Sequence, residues 1–378
     1  MVEWKKLVSV SDVLYGYPFE SSMFSEDSSY MPLIRIRDVK PAKASTYYSG
    51  EILENYIIKR GDILVGMDGE FNLGKWDDRD GLLNQRVLKL KAKDGFSIDG
   101  YLFHYMGPVF KKIEKETAGG SVKHLSAKVI NSIQIPVPSL SEQERIVGIL
   151  DTFTAAIENL KAQIANRRKQ YEHYRDQLLD LEGKEGVEMK TLGEVCEFVR
   201  GPFGGALKKE IFVESGYAVY EQQHAIYGQW DFRYFIDKMK FQQMKRFEVH
   251  TGDILMSCSG TMGKTAIIPE NHKEGIINQA LLKLSVKKDV CNSYIKLFMD
   301  SRWFQEGLMK QTSGGAIQNV ASVSILKELG IPLPSLSEQE RIVSILDTFE
   351  ASIANLEAQL KEREKQYEYY RNKLLKFE

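Results

Sequence analysis

The sequence predicts an α+β protein built by internal duplication: two mixed α/β globular domains, each followed by one long helix of coiled-coil type. Three observations predict it. A stretch occurs twice, IPVPSLSEQERIVGILDTFTAAIENL at residues 135–160 and IPLPSLSEQERIVSILDTFEASIANL at 331–356, in a chain of 378 residues. Both copies carry an apolar seam stepping by four and three, the spacing of a coiled coil. The segments ahead of the two copies share an order of landmarks with diverged letters. The resulting boundaries are a domain over 1–138, a helix over 139–183, a domain over 184–334 and a helix over 335–378.

Within 1–138, residues 33–39 (LIRIRDV) alternate apolar and polar, the period of a half-buried strand. Gly61 and Asp62 open the apolar run 63–65, and residues 82–90 (LLNQRVLKL) predict another strand. A short helix is expected over 100–116. A glycine turn, TAGGSVKHLS at 117–126, then leads to a last strand at 133–136. Pro138 ends the extended approach, because proline cannot donate a ladder hydrogen bond and restricts the residue before it. Ser141 stands three residues before Glu144, and Ser337 three before Glu340, the spacing of a capping box at a helix start.

The first helix seam is Ile146, Leu150, Phe153, Ile157 and Leu160; the second is Ile342, Leu346, Phe349, Ile353 and Leu356. Arg167 and Arg363 interrupt the two seams at equivalent positions. An arginine there can snorkel to solvent, and we expect a polar layer that fixes helix register. Each helix is about 60 Å long at ~1.5 Å per residue. Neither can hide its stripe alone, so the natural partner of each is the other. The tyrosines that follow (Tyr171, Tyr174, Tyr367, Tyr370) read as packing residues.

Residues 184–334 repeat the order of the first domain. Gly252-Asp253-Ile254-Leu255 matches residues 61–64, residues 276–284 match 82–90, and TSGGAIQNV at 312–320 matches the glycine turn. The helices keep nearly one sequence while the globular halves share glycines, strand cores and a few polar residues. A common partner met twice, together with two different targets, produces that contrast. Folding alone would not fix surface residues such as Glu142, Gln143 and Arg145 against Glu338, Gln339 and Arg341.

Composition narrows the class. With 43% hydrophobic and 27% charged residues, disorder is not indicated. The N-terminal residues have no apolar run of signal-peptide type, and no apolar stretch approaches the ~18 residues of a membrane span. Three scattered cysteines, Cys196, Cys258 and Cys291, suggest a reducing compartment, and a cytoplasmic location is expected. Formal charge is +1 over 1–138 and +2 over 183–334, and −1 for the whole chain. A protein that gripped nucleic acid alone would be more basic. That favours a subunit over a solitary binder.

On these residues the chain resembles the specificity subunit of type I restriction-modification systems. The resemblance is carried by Ile135-Pro136-Val137-Pro138 with Ser141-Glu142-Gln143, by Ile331-Pro332-Leu333-Pro334 with Ser337-Glu338-Gln339, by the Gly-Asp-Ile-Leu strands and by the two Gly-Gly turns. It covers essentially the whole chain. It implies antiparallel packing of the two helices, a pseudo-twofold molecule, and two target-recognition domains that each read one half of a split DNA target. Helix length would fix the unread gap. The implied partners are double-stranded DNA, two copies of an adenine methyltransferase subunit docked on the helical regions, and a motor-nuclease subunit. The first domain departs from the pattern: Gly69-Glu70-Phe71-Asn72-Leu73-Gly74-Lys75-Trp76 replaces the compact Ser259-Gly260-Thr261-Met262-Gly263-Lys264 form. The two domains are therefore expected to belong to different recognition subclasses.

Base edges are read by Arg, Lys, Asn and Gln side chains presented from rigid turns. In the first domain this selects Ser121, Lys123 and His124, with Lys75 and Arg86 behind them. In the second it selects Gln318 and Asn319, joined by Gln222, Gln223, His224 and Lys264. Glu142, Gln143, Arg145, Glu338, Gln339 and Arg341 are the expected docking residues. Asn84-Gln85 and Asn278-Gln279 recur in both halves, which argues for a structural role. Gly260-Thr261-Met262-Gly263-Lys264-Thr265 resembles a phosphate loop but has Cys258 where a glycine is needed. No base-methylation motif and no methyl-donor fingerprint is found, and the six histidines lack metal-ligand spacing. The expectation is a non-catalytic subunit with no cofactor and no metal. Two rivals remain, a stand-alone bipartite DNA-binding regulator and a coiled-coil scaffold without DNA contact.

Overall fold

The structure, a computed structural model, describes residues 2–116, 123–203, 205–259, 261–311 and 323–377. They form two compact units, Met1–Lys161 with Ala358–Glu378, and Ala162–Glu357. Each long helix contributes to both.

In the first unit, strands β1 (Ser11–Tyr15), β2 (Ile63–Gly66), β3 (Leu73–Lys75) and β4 (Val87–Ala92) make an antiparallel sheet in the order β1-β4-β2-β3. Side chains alternate across a strand, and the sequence uses both faces. Ile63, Val65, Leu88 and Leu90 pack on Leu102, Met106 and Phe110 of helix α1 (Asp99–Glu116). Leu64 and Val87 face the other way, onto Ile34, Leu83 and the fully buried Trp76. A second sheet runs Phe24–Ser25, Tyr47–Tyr48, Met31–Ile34, Gly81–Leu83, Ile57–Ile58. A ribbon of Glu3–Lys6 with Gln134–Val137 leads to helix α2 (Leu140–Leu179).

The second unit repeats this plan. Strands β5 (Cys196–Arg200), β6 (Ile254–Ser257), β7 (Thr265–Ile267) and β8 (Leu281–Val286) are ordered β5-β8-β6-β7. Ile254, Met256, Leu282 and Leu284 pack on Tyr294, Ile295 and Phe298 of helix α3 (Asn292–Met299), while Leu255 and Leu281 face Ala218, Tyr220 and Ile277. Glu188–Thr191 pairs with Gly330–Leu333 ahead of helix α4 (Leu336–Leu374). The aspartates of the repeated Gly-Asp-Ile-Leu serve the frame. Asp62 accepts from Lys59 N–H at 2.8 Å and pairs with Lys89 at 2.7 Å; Asp253 accepts from His250 N–H at 2.8 Å and pairs with Lys283 at 3.4 Å.

Three local expectations need correction. Residues 33–39 are not one strand: the strand ends at Ile34 and a turn of helix spans Ile36–Val39, started by Asp38 accepting from Arg35 N–H at 2.9 Å. Residues 82–90 and 276–284 are each two strands broken at the Asn-Gln turn, because the shared segment passes from one sheet to the other. The helix caps lie two residues earlier than the Ser141 and Ser337 spacing suggested. Ser139 Oγ accepts from Glu142 N–H and Ser335 Oγ from Glu338 N–H, both at 3.3 Å.

The long helices pack antiparallel in each unit taken separately. In the first, Ile146 and Leu150 are fully buried with Tyr101 against Tyr367, Leu374 and Phe377, and Phe153 stacks on Tyr370 at 5.1 Å. In the second, Ile342 and Leu346 are buried with Leu179, Leu181 and Tyr294, and Phe349 meets Tyr174 at 5.3 Å. Numbers rise along α2 as they fall along α4: Arg168 pairs with Glu357 at 2.5 Å, and Tyr171 O–H donates to Glu350 at 2.9 Å. Ile157 is buried, and Leu160, Ile353 and Leu356 are half-buried. The interrupting arginines act alike. Arg363 lies over the Phe153 ring at 5.9 Å and Arg167 over the Phe349 ring at 5.8 Å, and each donates to a glutamine three residues on. A cation over a ring face is attracted to it, so the polar layer seats each arginine on the opposing helix.

Candidate nucleic-acid interface

The ends of the central strands present a polar cluster in each unit. In the first, β2 runs out at Gly66 into Met67, Asp68 and Gly69. Residues 123–125 lie beside this exit: Gly69 N–H donates to Lys123 O at 3.0 Å and Leu125 N–H to Met67 O at 2.7 Å. Met67 N–H donates to Arg86 O at 2.8 Å, which brings the turn before β4 to the same place. Three expected residues thus converge, with a fourth that sequence reasoning missed. Asp68 Oδ1 lies 2.5 Å from His124 Nδ1, and Asp68 Oδ2 lies 3.4 Å from Arg86 Nε. A carboxylate only accepts, so His124 Nδ1 carries the proton and donates. Arg86 and His124 are 54% and 40% exposed at the side chain, whereas Asp68 is 25% exposed. Lys123 is tied to Glu114 at 3.5 Å, and Glu114 also accepts from Phe71 N–H.

Arg86 has φ +70°, the left-handed region that side chains other than glycine rarely adopt. Such a residue costs about 1–3 kcal/mol and is held by its surroundings. The matching turn of the second unit shows what is given up. There Asn278 Oδ1 accepts from Ala280 N–H at 3.0 Å, and Ala280 is not left-handed; in the first unit Asn84 Oδ1 is buried without a partner.

In the second unit β6 ends at Ser257 and continues to Cys258 and Ser259. Gln222 holds this exit: its Nε2 donates to Ser259 O, and Ser259 Oγ donates to Gln222 Oε1 at 3.2 Å. Ser257 Oγ donates to Thr261 O at 2.7 Å and Gly263 N–H to Ser257 O at 2.9 Å, so Thr261 and Gly263 are folded back onto Ser257 just ahead of strand β7. A phosphate loop opens a helix, and these residues do not. Burial pushes the Cys258 thiol up to about 11, which keeps it protonated and unreactive. Lys264 is exposed and Gln223 half-buried beside Gln222.

Several expected residues lie elsewhere. Ser121, Gln318 and Asn319 fall outside the described residues. Lys75 pairs with Ile63 at the far end of β2 and sits over the Phe103 ring at 4.7 Å, so it does not join Arg86 and His124. His224 is a correction, since it is fully buried. Its Nδ1 accepts from Glu221 N–H at 2.7 Å, its Nε2 donates to Asp231 O at 2.9 Å, and its ring stacks on Phe232. It starts a short helix as Asp38 does in the first unit, and a side chain so enclosed offers nothing to a base edge. Gln143 and Gln339 are corrections of the same kind. Gln143 donates to Phe96 O and Pro138 O at 3.0 Å, Gln339 to Pro334 O at 2.8 Å, and both accept a backbone N–H from the segment entering α1 or α3. Their near-identity has a folding cause. Glu142 with Arg145 and Glu338 with Arg341 stay at the surface as bidentate pairs at 2.7 Å. That hydrogen bonding holds both carboxyls below their ordinary range.

Asp68 carried a legible signal. It stands opposite Ser259 when the Gly-Asp-Ile-Leu strands are aligned, directly before a glycine that both copies keep, Gly69 and Gly260. Among the described residues no group of three or more His, Cys, Asp and Glu is placed to hold a metal ion, and no helix is long and apolar enough to cross a membrane.

A frame repeated twice that presents two unlike polar clusters, one centred on the carboxylate of Asp68 and one on the amide of Gln222, defines a duplicated recognition protein. The chain belongs to the type I restriction modification DNA specificity domain family, whose model matches residues 1–167 and 184–365. It is 28% identical over 380 residues to the type I restriction enzyme EcoBI specificity subunit of Escherichia coli, spanning 93% of this chain and 80% of that protein. It is likewise 28% identical over 353 residues to the EcoR124I/EcoR124II specificity subunit of Escherichia coli, spanning 87% and 84%. The solved type I restriction-modification S subunit from M. genitalium superposes with a TM-score of 0.60 at 16% identity, over 100% of this chain and 97% of that one, a likeness of fold.

Proposed function

We propose that this chain selects the DNA sequence for a type I restriction-modification complex, each recognition domain (1–138 and 184–334) reading one half of a split target. The helices over 139–183 and 335–378 set the gap between halves. They also dock two adenine methyltransferase subunits, with Glu142, Arg145, Glu338 and Arg341 as the docking pairs, and a motor-nuclease subunit completes the restricting form. The chain performs no catalytic step itself and works in the cytoplasm. One observation carries the reading: equivalent strand ends, built on the same buried frame, present Asp68, Arg86 and His124 in one unit and Gln222, Ser259 and Lys264 in the other. Half-site spacing that follows protein geometry is the usual consequence of such a duplication.

Methylome sequencing tests it. A host carrying the partner methyltransferase, with and without this chain, should gain an asymmetric split adenine-methylation motif when the chain is present. An unchanged methylome alongside an active partner would sink the proposal.

A further inference from the structure

We propose that Asp68 is a positioning residue that holds Arg86 and His124 for base reading, and that Arg86 reads a G·C pair in one half of the target. The inference rests on the DNA-reading function above and narrows it to a residue and a base pair. Three departures from the second unit coincide at one place. Arg86 is left-handed where Ala280 is not, Asn84 Oδ1 is orphaned where Asn278 Oδ1 is satisfied, and Asp68 replaces Ser259 and is shared by two side chains. The frame folds without these features in the second unit, so they serve something other than the frame. Half-exposed ion pairs contribute little to stability. Strain that the surroundings must hold in place is a mark of function.

The geometry suits one reader. Asp68 Oδ2 lies 3.4 Å from Arg86 Nε and His124 Nδ1 lies 3.4 Å from Arg86 Nη1, so both neighbours flank one side of the guanidinium, and Nη2 has no partner among the described residues. The outward N–H groups left on Nη1 and Nη2 lie in the guanidinium's own plane, the fork that matches guanine O6 and N7 in the major groove. His124 spends Nδ1–H on Asp68, and its Nε2 likewise has no partner among the described residues. Asp68 therefore presets both neighbours before DNA arrives, and the entropy of ordering them is not lost on binding.

The test uses the full chain co-expressed with its methyltransferase subunit and read by methylome sequencing, with Arg86→Gly and Asp68→Asn. Glycine adopts φ +70° freely, so Arg86→Gly keeps the fold and carries the test even if Asp68→Asn is unstable. Wild type should give a split motif with a fixed G·C pair in one half. Arg86→Gly should relax that one position, lowering discrimination by roughly tenfold to a hundredfold, and Asp68→Asn should relax the same position less. The other half should stay as it was. Retention of every base of the motif in Arg86→Gly overturns the inference while leaving the proposed function intact. So does an even loss of methylation across all sequences, the sign of a phosphate contact. If wild type itself yields no split motif, the proposed function fails and this inference falls with it.

Discussion

At Gly16 a Cβ would lie 2.0 Å from Asn84 O, and at Gly201 it would lie 1.8 Å from Asn278 O. Both glycines hand the first strand of the central sheet to the Asn-Gln turn at the same closeness, with Gly16 N–H donating to Val87 O and Gly201 N–H to Leu281 O. Neither neighbour is a flexible side-chain end, so backbone must shift to admit a methyl group. Gly16→Ala and Gly201→Ala should each lower unfolding free energy by about 1–3 kcal/mol or more, measured by urea denaturation. Gly148→Ala supplies the control. It sits on the exposed side of α2 with open space around it, and should gain roughly 0.5–1 kcal/mol. The structural role of Asn84 and Asn278 was legible because the pair recurs. The role of His224 was not, because its counterpart Asp38 does the same capping with a different side chain, and only burial exposes the equivalence. Asp68 was missed for a related reason: its importance comes from meeting Arg86 and His124, which chain distance hides.

Among the elements, the long helices were the most legible, since forty-residue periodicity overrides a two-residue error in the cap. The short strands were least legible, because an apolar run passing between two sheets looks continuous in sequence. How the helix ends are held could not be read at all. In the first unit, His104 of α1 sits between the two long helices, its Nε2–H donating to Asp151 Oδ1 at 2.7 Å while Nδ1 accepts from Tyr367 O–H at 3.0 Å. Burial lowers its pKa from the ordinary 6.5, with Lys75 and Arg371 acting in the same direction against the opposing pull of Asp151. A depressed folded-state pKa means the unfolded chain binds the extra proton more readily. Stability is thus fully present above the unfolded value and is lost as pH falls through the folded one. The thermal midpoint of the first unit's transition should fall as pH drops below the ordinary histidine value of 6.5. His104→Leu, which copies the apolar Leu297 at the equivalent position of α3, should flatten that dependence. A wild-type slope retained in the variant would assign it to other groups.

For the molecule as a whole, the proposed ruler makes the sharpest demand. Removing residues 155–161 from α2 and their counterparts 351–357 from α4 deletes one heptad from each helix. Because the seam repeats every seven residues, the apolar stripes stay in phase, and Phe153–Tyr370 and Phe349–Tyr174 still belong to the same helix faces. Each helix shortens by about 10 Å, against ~3.4 Å per base-pair step, so the unread gap should contract by roughly one to three base pairs. Nothing in either polar cluster lies within the deleted segments, so both half-targets should keep every base. Deleting the heptad from α2 alone should instead set the two seams against each other and abolish methylation. Methylome sequencing of the three chains separates these outcomes. A double deletion that alters the bases of either half, or leaves the gap untouched, would show that spacing is set by something other than the paired helices.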